Sequence, residues 1–588
     1  MKFYTALIVI LFTACSGAGT NNMPLKAEAS PAPENFTTVL TGGEIYTMNP
    51  SRPTAPTITY QAIAYDKAGK ILWLGSEMDA DKAAKTGAKI IDLDGAVVLP
   101  GFHDVHLHAL EAGINEGRCI LSEFASKAKY KKQITGCAKK QSGAGWFIGA
   151  GVSMPDLLAQ ISMPVDFLDM LFPDKPALIL DNLGHGAWAN SLALKAVGYD
   201  TLAGNPSGGL IDRNLAGRPT GIVYENAQQV LRTSALPPTP ANGAANYQAL
   251  RTVLKTLAAN GITSVSDAGG YWTRGHHLAW IRAEQEGVLT VRASNALYVF
   301  PDRNIDKQIA DLIALKRSHP DNLVKFNQVK IYVDGILSQG TAALYEPYIG
   351  GFGVAGVSER GFEYFAKADL FDYARRLDAA GFSLHFHATG DRGVGLALGA
   401  IEAAQKTNGV SANRHRITHI FLTAPADHAR FATLGVTADV QMTPSTFDPQ
   451  TIAFYKTIIG DRANDLIPSA SLIAANAPMT ISSDWDADEL SPMTKIGLVV
   501  SRGREAVPNV EAAVRLMTIE SAKLLGQSDI TGSLEVGKYA DMVVLDQDIF
   551  KIAPARIKRT KLLATIMNGN VVYDPHKRFE KRRLKQGE

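Results

Sequence analysis

Between residues 261 and 485, short apolar runs take turns with helix-like stretches, and this rhythm leaves few folds open. The runs are GITSVSDAG (261–269), FNQVKIYVDG (326–335), FSLHFHATG (382–390), HRITHIFLT (415–423), VTADVQMTP (436–444) and APMTISSDW (477–485). Helical periodicity marks ADLFDYARRLDAAG (368–381) and VGLALGAIEAAQKTNG (394–409) between them. Strand–helix alternation implies a parallel sheet with helices outside it, and this many units point to a (β/α)8 barrel. The expected fold is therefore α/β, with a TIM-like barrel over residues 100–499. A barrel of this kind typically takes about 250 residues, so the span must hold a large insertion. About 110–250 is the candidate, because it lacks βα rhythm and contains Gly- and Pro-rich loops such as NPSGGLIDRNLAGRPTG. Residues 37–99 and 532–573 instead show short strands broken by turns, with Asn568-Gly569 as a tight hairpin signal. A small β-sandwich built from both chain ends (37–99 and 500–574) is expected, followed by a basic tail (575–588).

Composition narrows the function classes. Apolar residues make up 46% and charged residues 20%, which is a globular mix. Fifty-nine basic and 57 acidic residues leave a formal charge of +2, so a nucleic-acid partner is not expected. The N-terminus has its own signature. Met1-Lys2 precedes an apolar run, FYTALIVILFTA, too short for a transmembrane helix, and Cys15 follows Thr13-Ala14. This is the pattern of a lipoprotein-type export signal (1–15) ending at a lipidated Cys15, with a plain secretory peptide as the alternative. Residues 16–36 read as a flexible tether. The location implied is the bacterial cell envelope, on the periplasmic face of a membrane, or else a soluble periplasmic or secreted state. The chain has three cysteines. In an oxidising space the remaining pair, Cys119 and Cys137, is a candidate disulfide; two buried free thiols are the alternative.

The chemistry gathers at strand ends. His106 and His108 lie two apart in PGFHDVHLH, so on a strand they share a face and can chelate one divalent ion. An HxH alone is weak evidence, since two satisfied histidines near a loop would look the same. Lys330 adds weight, because a lysine inside the apolar run NQVKIYVDG is costly unless neutralised, paired or chemically altered. His387, His419 and Asp484 close three later strands at spacings of one or two βα units. Side chains at the C-terminal ends of barrel strands converge on one mouth, so this set reads as a hydrolytic metal centre. His385 shares a face with His387, and His415 lies close to His419, so the choice within each pair is ambiguous on spacing alone. His276, His277, His319, His428 and His576 lack strand-end placement and read as surface or core histidines.

Taken together, PGFxDxHxH, the Lys330 strand, HAxGD, HRxxH and a final SD resemble the amidohydrolase superfamily, and more narrowly its amidohydrolase-3 group, which includes N-substituted formamide deformylases. The likeness runs from about 37 to 574 and includes GHGAWANSLAL (184–194), GGLIDRNLAGRPTGIVYENA (208–227) and GSLEVGKYADMVVLD (532–546). The resemblance implies that His106 and His108 bind a first metal, that Lys330 is carboxylated and bridging, and that His387 and His419 bind a second metal or complete a single site. It also implies that Asp484 ligates weakly and acts as general base, that His185 comes from the insertion to touch substrate, and that Asp391 braces the loop after the HFH strand. His103 stands where the family is usually apolar, and Asp486, Asp488 and Glu489 form an acidic loop after the final SD. A divalent metal, zinc foremost, is the expected cofactor, as one ion or two. The expected reaction is hydrolysis of a C–N bond in an N-acyl, N-formyl or cyclic amide. Ester or lactone hydrolysis and deamination stay open, as does a non-catalytic envelope lipoprotein. Expected partners are a small-molecule substrate and, through the lipid anchor only, a membrane; a homodimer is left open.

Overall fold

The computed structural model describes residues 36–49, 51, 59–77, 87–115, 119–141, 145–201, 204–352 and 357–579. The export signal with Cys15, all of the tether but Phe36, and the tail beyond 579 lie outside the described residues. Eight strands make the barrel: β1 (Phe102–Leu107), β2 (Ile262–Asp267), β3 (Arg292–Tyr298), β4 (Val324–Tyr332), β5 (Ser383–Ala388), β6 (Arg416–His419), β7 (Thr437–Gln441) and β8 (Met479–Ser482). They neighbour one another in chain order, and each pairing is parallel. β1 and β8 close the ring beyond the ends of their ladders. Asp484 N donates to His106 O at 2.8 Å, and Ser483 N to the Asp104 carboxylate at 3.0 Å.

The period-two pleat sorts the strand residues. Val329, Ile331, Leu384, Phe386 and Ile417 pack into one apolar core with Leu377, Leu398 and Ile401 of the surrounding helices. The alternate positions hold Gln328, Lys330, His385, His387, Arg416 and Thr418, which fill the barrel. The helix Asp391–Asn408 shows why these segments cover the sheet: Val394, Ala397, Leu398, Ile401 and Ala404 form its buried stripe.

The insertion leaves between β1 and β2 and is a six-stranded sheet in its own right. Its strands, in spatial order, are Gly209–Arg213, Pro219–Glu225, Gly186–Ala189, Ala177–Asp181, Phe147–Val152 and Cys119–Ile120. The boundary expected near 250 falls earlier, because the helix Pro240–Ala259 packs on the helix Ala109–Asn115 and on β2 as a barrel helix. Cys119 and Cys137 form a disulfide with Cα atoms 5.6 Å apart, tying the sheet edge to the helix Lys127–Ala138.

The chain ends build one eight-stranded sheet, in which Val97–Pro100 pairs with Met542–Leu545. It curls until the edge strand Ile71–Gly75 and its preceding turn meet the run leading into Met542–Leu545: Ile71 N donates to Lys538 O at 2.8 Å and Ala540 N to Gly69 O at 2.7 Å. Gly69 is required there, since it has φ +78° and an added Cβ would collide with the Asn568 carbonyl. The boundary expected at 500 lies later, because the helices Val510–Leu516 and Ile519–Leu524 pack on β8. Phe36 and Phe579, at the limits of the described chain, are both buried against this sheet. Among the described residues, no helix is long and apolar enough to cross a membrane.

Candidate metal centre

Adjacent-strand register brings the site residues to the C-terminal mouth of the barrel. Lys330 faces His385, Tyr332 faces His387, and Ala388 faces His419 across consecutive ladders. The Asp484 carboxylate lies 3.1 Å from His106 Nε2, 3.3 Å from His108 Nε2 and 3.8 Å from His419 Nδ1. Lys330 Nζ stands 3.3 Å from His106 Nε2. The His387 ring lies 4.3 Å from that of His419 and stacks on Tyr332 at 4.2 Å. His106, His108, Lys330, His387, His419 and Asp484 are therefore brought together.

The donor set fits a divalent ion. One ligand atom each from His106, His419 and Asp484 lies within 4.8 Å of the others. Burial holds His106 and His387 well below the ordinary imidazole range, and His419 is pulled down to about 3, so all three are neutral as metal binding requires. His387 Nε2 donates to Gly335 O at 3.2 Å, which leaves Nδ1 as a buried lone pair with no hydrogen-bond partner among the described residues. Burial alone would push Asp484 up, but hydrogen bonds from His106 and His108 hold it well below the ordinary carboxylate value. Lys330 is fully buried, and this desolvation lowers its pKa to about 7. His419 and Asp484 have φ of +79° and +57°, and Ile420 follows at +49°. Left-handed backbone at non-glycine residues costs free energy that the surrounding structure must hold, and such strain clusters at functional sites.

The remaining site candidates also find places. His385 Nε2 meets His106 Nδ1 at 2.7 Å, so the HFH pair divides its work: His385 orients His106, while His387 faces the mouth. His415 turns away from the mouth, with Nε2 3.3 Å from Asp378. His103 is buried at the start of β1 and contacts Gly101 O at 3.1 Å. Asp391 accepts from Tyr345 N at 2.9 Å, joining the loop after β4 to the start of the helix after β5. His276 is a buried histidine on Gly269 O and Glu111.

His185 arrives from the insertion sheet, with its ring 5.2 Å from that of His387. Its Nδ1 is bound by Glu225 at 2.6 Å. Glu225 is fully buried and also accepts from Tyr364 OH at 2.5 Å and Thr341 Oγ1 at 2.7 Å. Burial pulls the His185 pKa down, but the charge and hydrogen bond of Glu225, with Asp181 and Asp484, raise it on balance. Glu225 went unnoticed in the sequence. The available signal was a carboxylate closing the apolar run GIVYE, the same anomaly that singled out Lys330.

Two cavities open on this centre and share His185, His419 and Asp484. One is about 280 Å³ and the more polar of the two, lined by His108, Glu111, Arg232 and Asp486 among others. The other is about 580 Å³ and reaches out past His387.

Known proteins share this sequence pattern and this fold. The chain is 26% identical over 570 residues to Protein LONG AFTER FAR-RED 3 of Arabidopsis thaliana, covering 93% of this chain and 94% of that one. It is 24% identical over 532 residues to N-substituted formamide deformylase of Arthrobacter pascens, covering 86% and 94%. Its fold matches the crystal structure of a metal-dependent hydrolase from Pyrococcus horikoshii at a TM-score of 0.67 and 22% identity, covering 88% of this chain and 99% of that one. The model of the amidohydrolase family matches residues 89–573, which carry the whole barrel, the insertion and part of the end sheet, and the chain belongs to that family.

Proposed function

We propose that this protein is a metal-dependent hydrolase that cleaves a C–N bond in an amide-like substrate, with Asp484 as the proton carrier. The observation that supports this reading best is the meeting of the Asp484 carboxylate with His106, His108 and His419 opposite an insertion-borne His185. A divalent ion, zinc in our reading, held by His106, His108, His387, His419 and Asp484 would polarise the scissile carbonyl and acidify water. Lys330 would join the ligands after its neutral amine adds carbon dioxide, forming an N–C bond and releasing a proton. Its burial favours that neutral amine.

The chain's own groups supply the remaining steps. The free Asp484 oxygen takes the proton from the attacking water and returns it to the departing nitrogen. His185, fixed through Nδ1 by Glu225, turns Nε2 to the carbonyl oxygen as negative charge develops there. His385 keeps His106 in one orientation through Nδ1. The name of the Arthrobacter pascens relative, a formamide deformylase, favours amides over esters. The test is a panel of formamides, acylamides, cyclic amides and matched esters, with metal content measured on the same preparation. Hydrolysis of amides that rises with metal occupancy is the expected result. Turnover of esters alone, or activity independent of metal, refutes the reading.

We also propose that the protein is exported and held by a lipid on Cys15. The sequence of residues 1–15 and the Cys119–Cys137 disulfide, which suits an oxidising compartment, support this. Labelling of cells with a radioactive fatty acid should mark the wild-type protein and fail to mark Cys15→Ser.

A further inference from the structure

The 580 Å³ cavity lies in the size range of a binding site for an organic group, about 300–1,000 Å³. It is continuous with the metal centre through His185, His387, His419 and Asp484. Its wall draws on four separate segments. Phe124 and Leu183 come from the insertion, Leu337 from the loop after β4, Phe421 from the loop after β6, and Phe454 from the helix Pro449–Ile459. Three of these are large apolar side chains left open to solvent: Phe124 is 63% exposed, Phe454 38% and Leu183 37%. Apolar side chains scattered singly on a surface need no explanation, but a set ringing one cavity marks a site that an apolar ligand covers.

The charges point the same way. The carboxylic acids lining this cavity are Glu123, Asp156, Asp484 and Asp488, and no Lys or Arg is among the described residues that line it. A carboxylate on the substituent, held beyond reach of the metal, would meet like charge with no Lys or Arg to pair it. The smaller cavity on the other side of Asp484 is the one that carries an arginine, Arg232.

We propose that the substrate is an amide bearing one bulky apolar substituent without negative charge, which fills the larger cavity while the more polar remainder lies in the smaller one. This rests on the amide-hydrolase reading above and names the substrate class of that same site. Segments from both the insertion and the barrel loops shape the apolar wall, so the insertion shares in setting selectivity for the substituent.

The test uses the metal-loaded full chain and a matched amide series carrying methyl, benzyl, octyl or 4-carboxybenzyl on either side of the amide. Expected is a rise in kcat/KM of about tenfold or more from methyl to benzyl or octyl, and a fall of similar size on adding the carboxylate. Leu183→Trp, at a residue that lines both cavities, should lower kcat/KM for the benzyl and octyl substrates by more than for the methyl one. Equal kcat/KM across methyl, benzyl and octyl overturns the proposal while leaving amide hydrolysis standing, as does an equal loss on all of them in Leu183→Trp. Calorimetric binding of the same compounds separates the two readings further. Binding of the octyl and benzyl compounds that Leu183→Trp weakens, without turnover of any amide, keeps the larger cavity as a site for an uncharged apolar group and sinks both the reaction assigned and the amide as its substrate. Absence of both binding and turnover overturns both.

Discussion

Replacing Glu225 by Gln asks whether His185 works through its orientation. Glu225 receives three hydrogen bonds: His185 Nδ1 at 2.6 Å and Tyr364 OH at 2.5 Å on one oxygen, and Thr341 Oγ1 at 2.7 Å on the other. A glutamine oxygen in the first position still accepts from His185 and Tyr364, and its amide nitrogen then faces a hydroxyl that can accept. Shape is kept and only the charge is lost. A hydrogen bond to a charged partner is worth about 1.5–3 kcal/mol and a neutral one about 0.5–1.5. The difference, about 1–1.5 kcal/mol, converts to a loss of about 5- to 13-fold in kcat/KM at 1.36 kcal/mol per tenfold. Because His185 is assigned to the developing oxyanion, the loss should fall on kcat with KM little changed. Glu225→Ala should cost more, since it strands His185 and Tyr364 in a buried site. Metal content of each variant is the control: the Gln variant should bind metal normally, because Glu225 touches none of the proposed ligands. Full kcat in Glu225→Gln refutes the reasoning, and so does a loss of activity that tracks lost metal.

Three other outcomes are expected. Asp484→Asn should keep its fold, because asparagine tolerates the left-handed backbone that Asp484 adopts at φ +57°, yet kcat should fall by about 10²–10⁴; near wild-type turnover on a confirmed substrate would remove Asp484 as the base. Cys137→Ser opens a disulfide of sequence separation 18, which the chain-entropy account values at about 3 kcal/mol, so limited proteolysis should cut the 119–141 segment faster than in the wild type; unchanged cleavage would show that the sheet edge is held without it. Asp378 accepts from Asn408 at 2.8 Å, Ser411 at 2.7 Å and Asn413 at 2.6 Å, which, with His415, more than offset its burial and hold it well below its ordinary value. A depressed folded pKa stabilises above the unfolded value, near 3.9, and that stability is lost as pH falls through the folded one, so Asp378→Ala should lower the melting temperature at pH 7 and narrow its gap to wild type below about pH 4. A gap that does not change with pH would refute the assignment.

The barrel and its proposed ligands were legible because each of these residues violates a local rule that sequence makes visible. Lys330 is a cation in an apolar strand, His106 and His108 repeat at the strand period, and Asp484 closes a run of buried residues. These anomalies sit at strand ends, and a parallel barrel carries all strand ends to one mouth, so chain spacing alone places them together. The division of HFH was not legible. Both histidines share a face, and only the register, Lys330 beside His385 and Tyr332 beside His387, sets one against His106 and the other toward the mouth. The insertion sheet was missed for a related reason: its strands are short and its order mixes parallel and antiparallel neighbours, so no constant period reaches the sequence. Glu225 was lost with it. Its partner His185 is 40 residues away, just before a strand (Gly186–Ala189) that adjoins its own only in the folded sheet. The family resemblance supplied His185 as a substrate contact, but the group that holds it belongs to the chain's own insertion, where part of the selectivity for the apolar substituent is also proposed to reside. A residue that orients the catalytic face and residues that admit the substrate thus share one element, so exchanging the insertion should change kcat and specificity together rather than specificity alone.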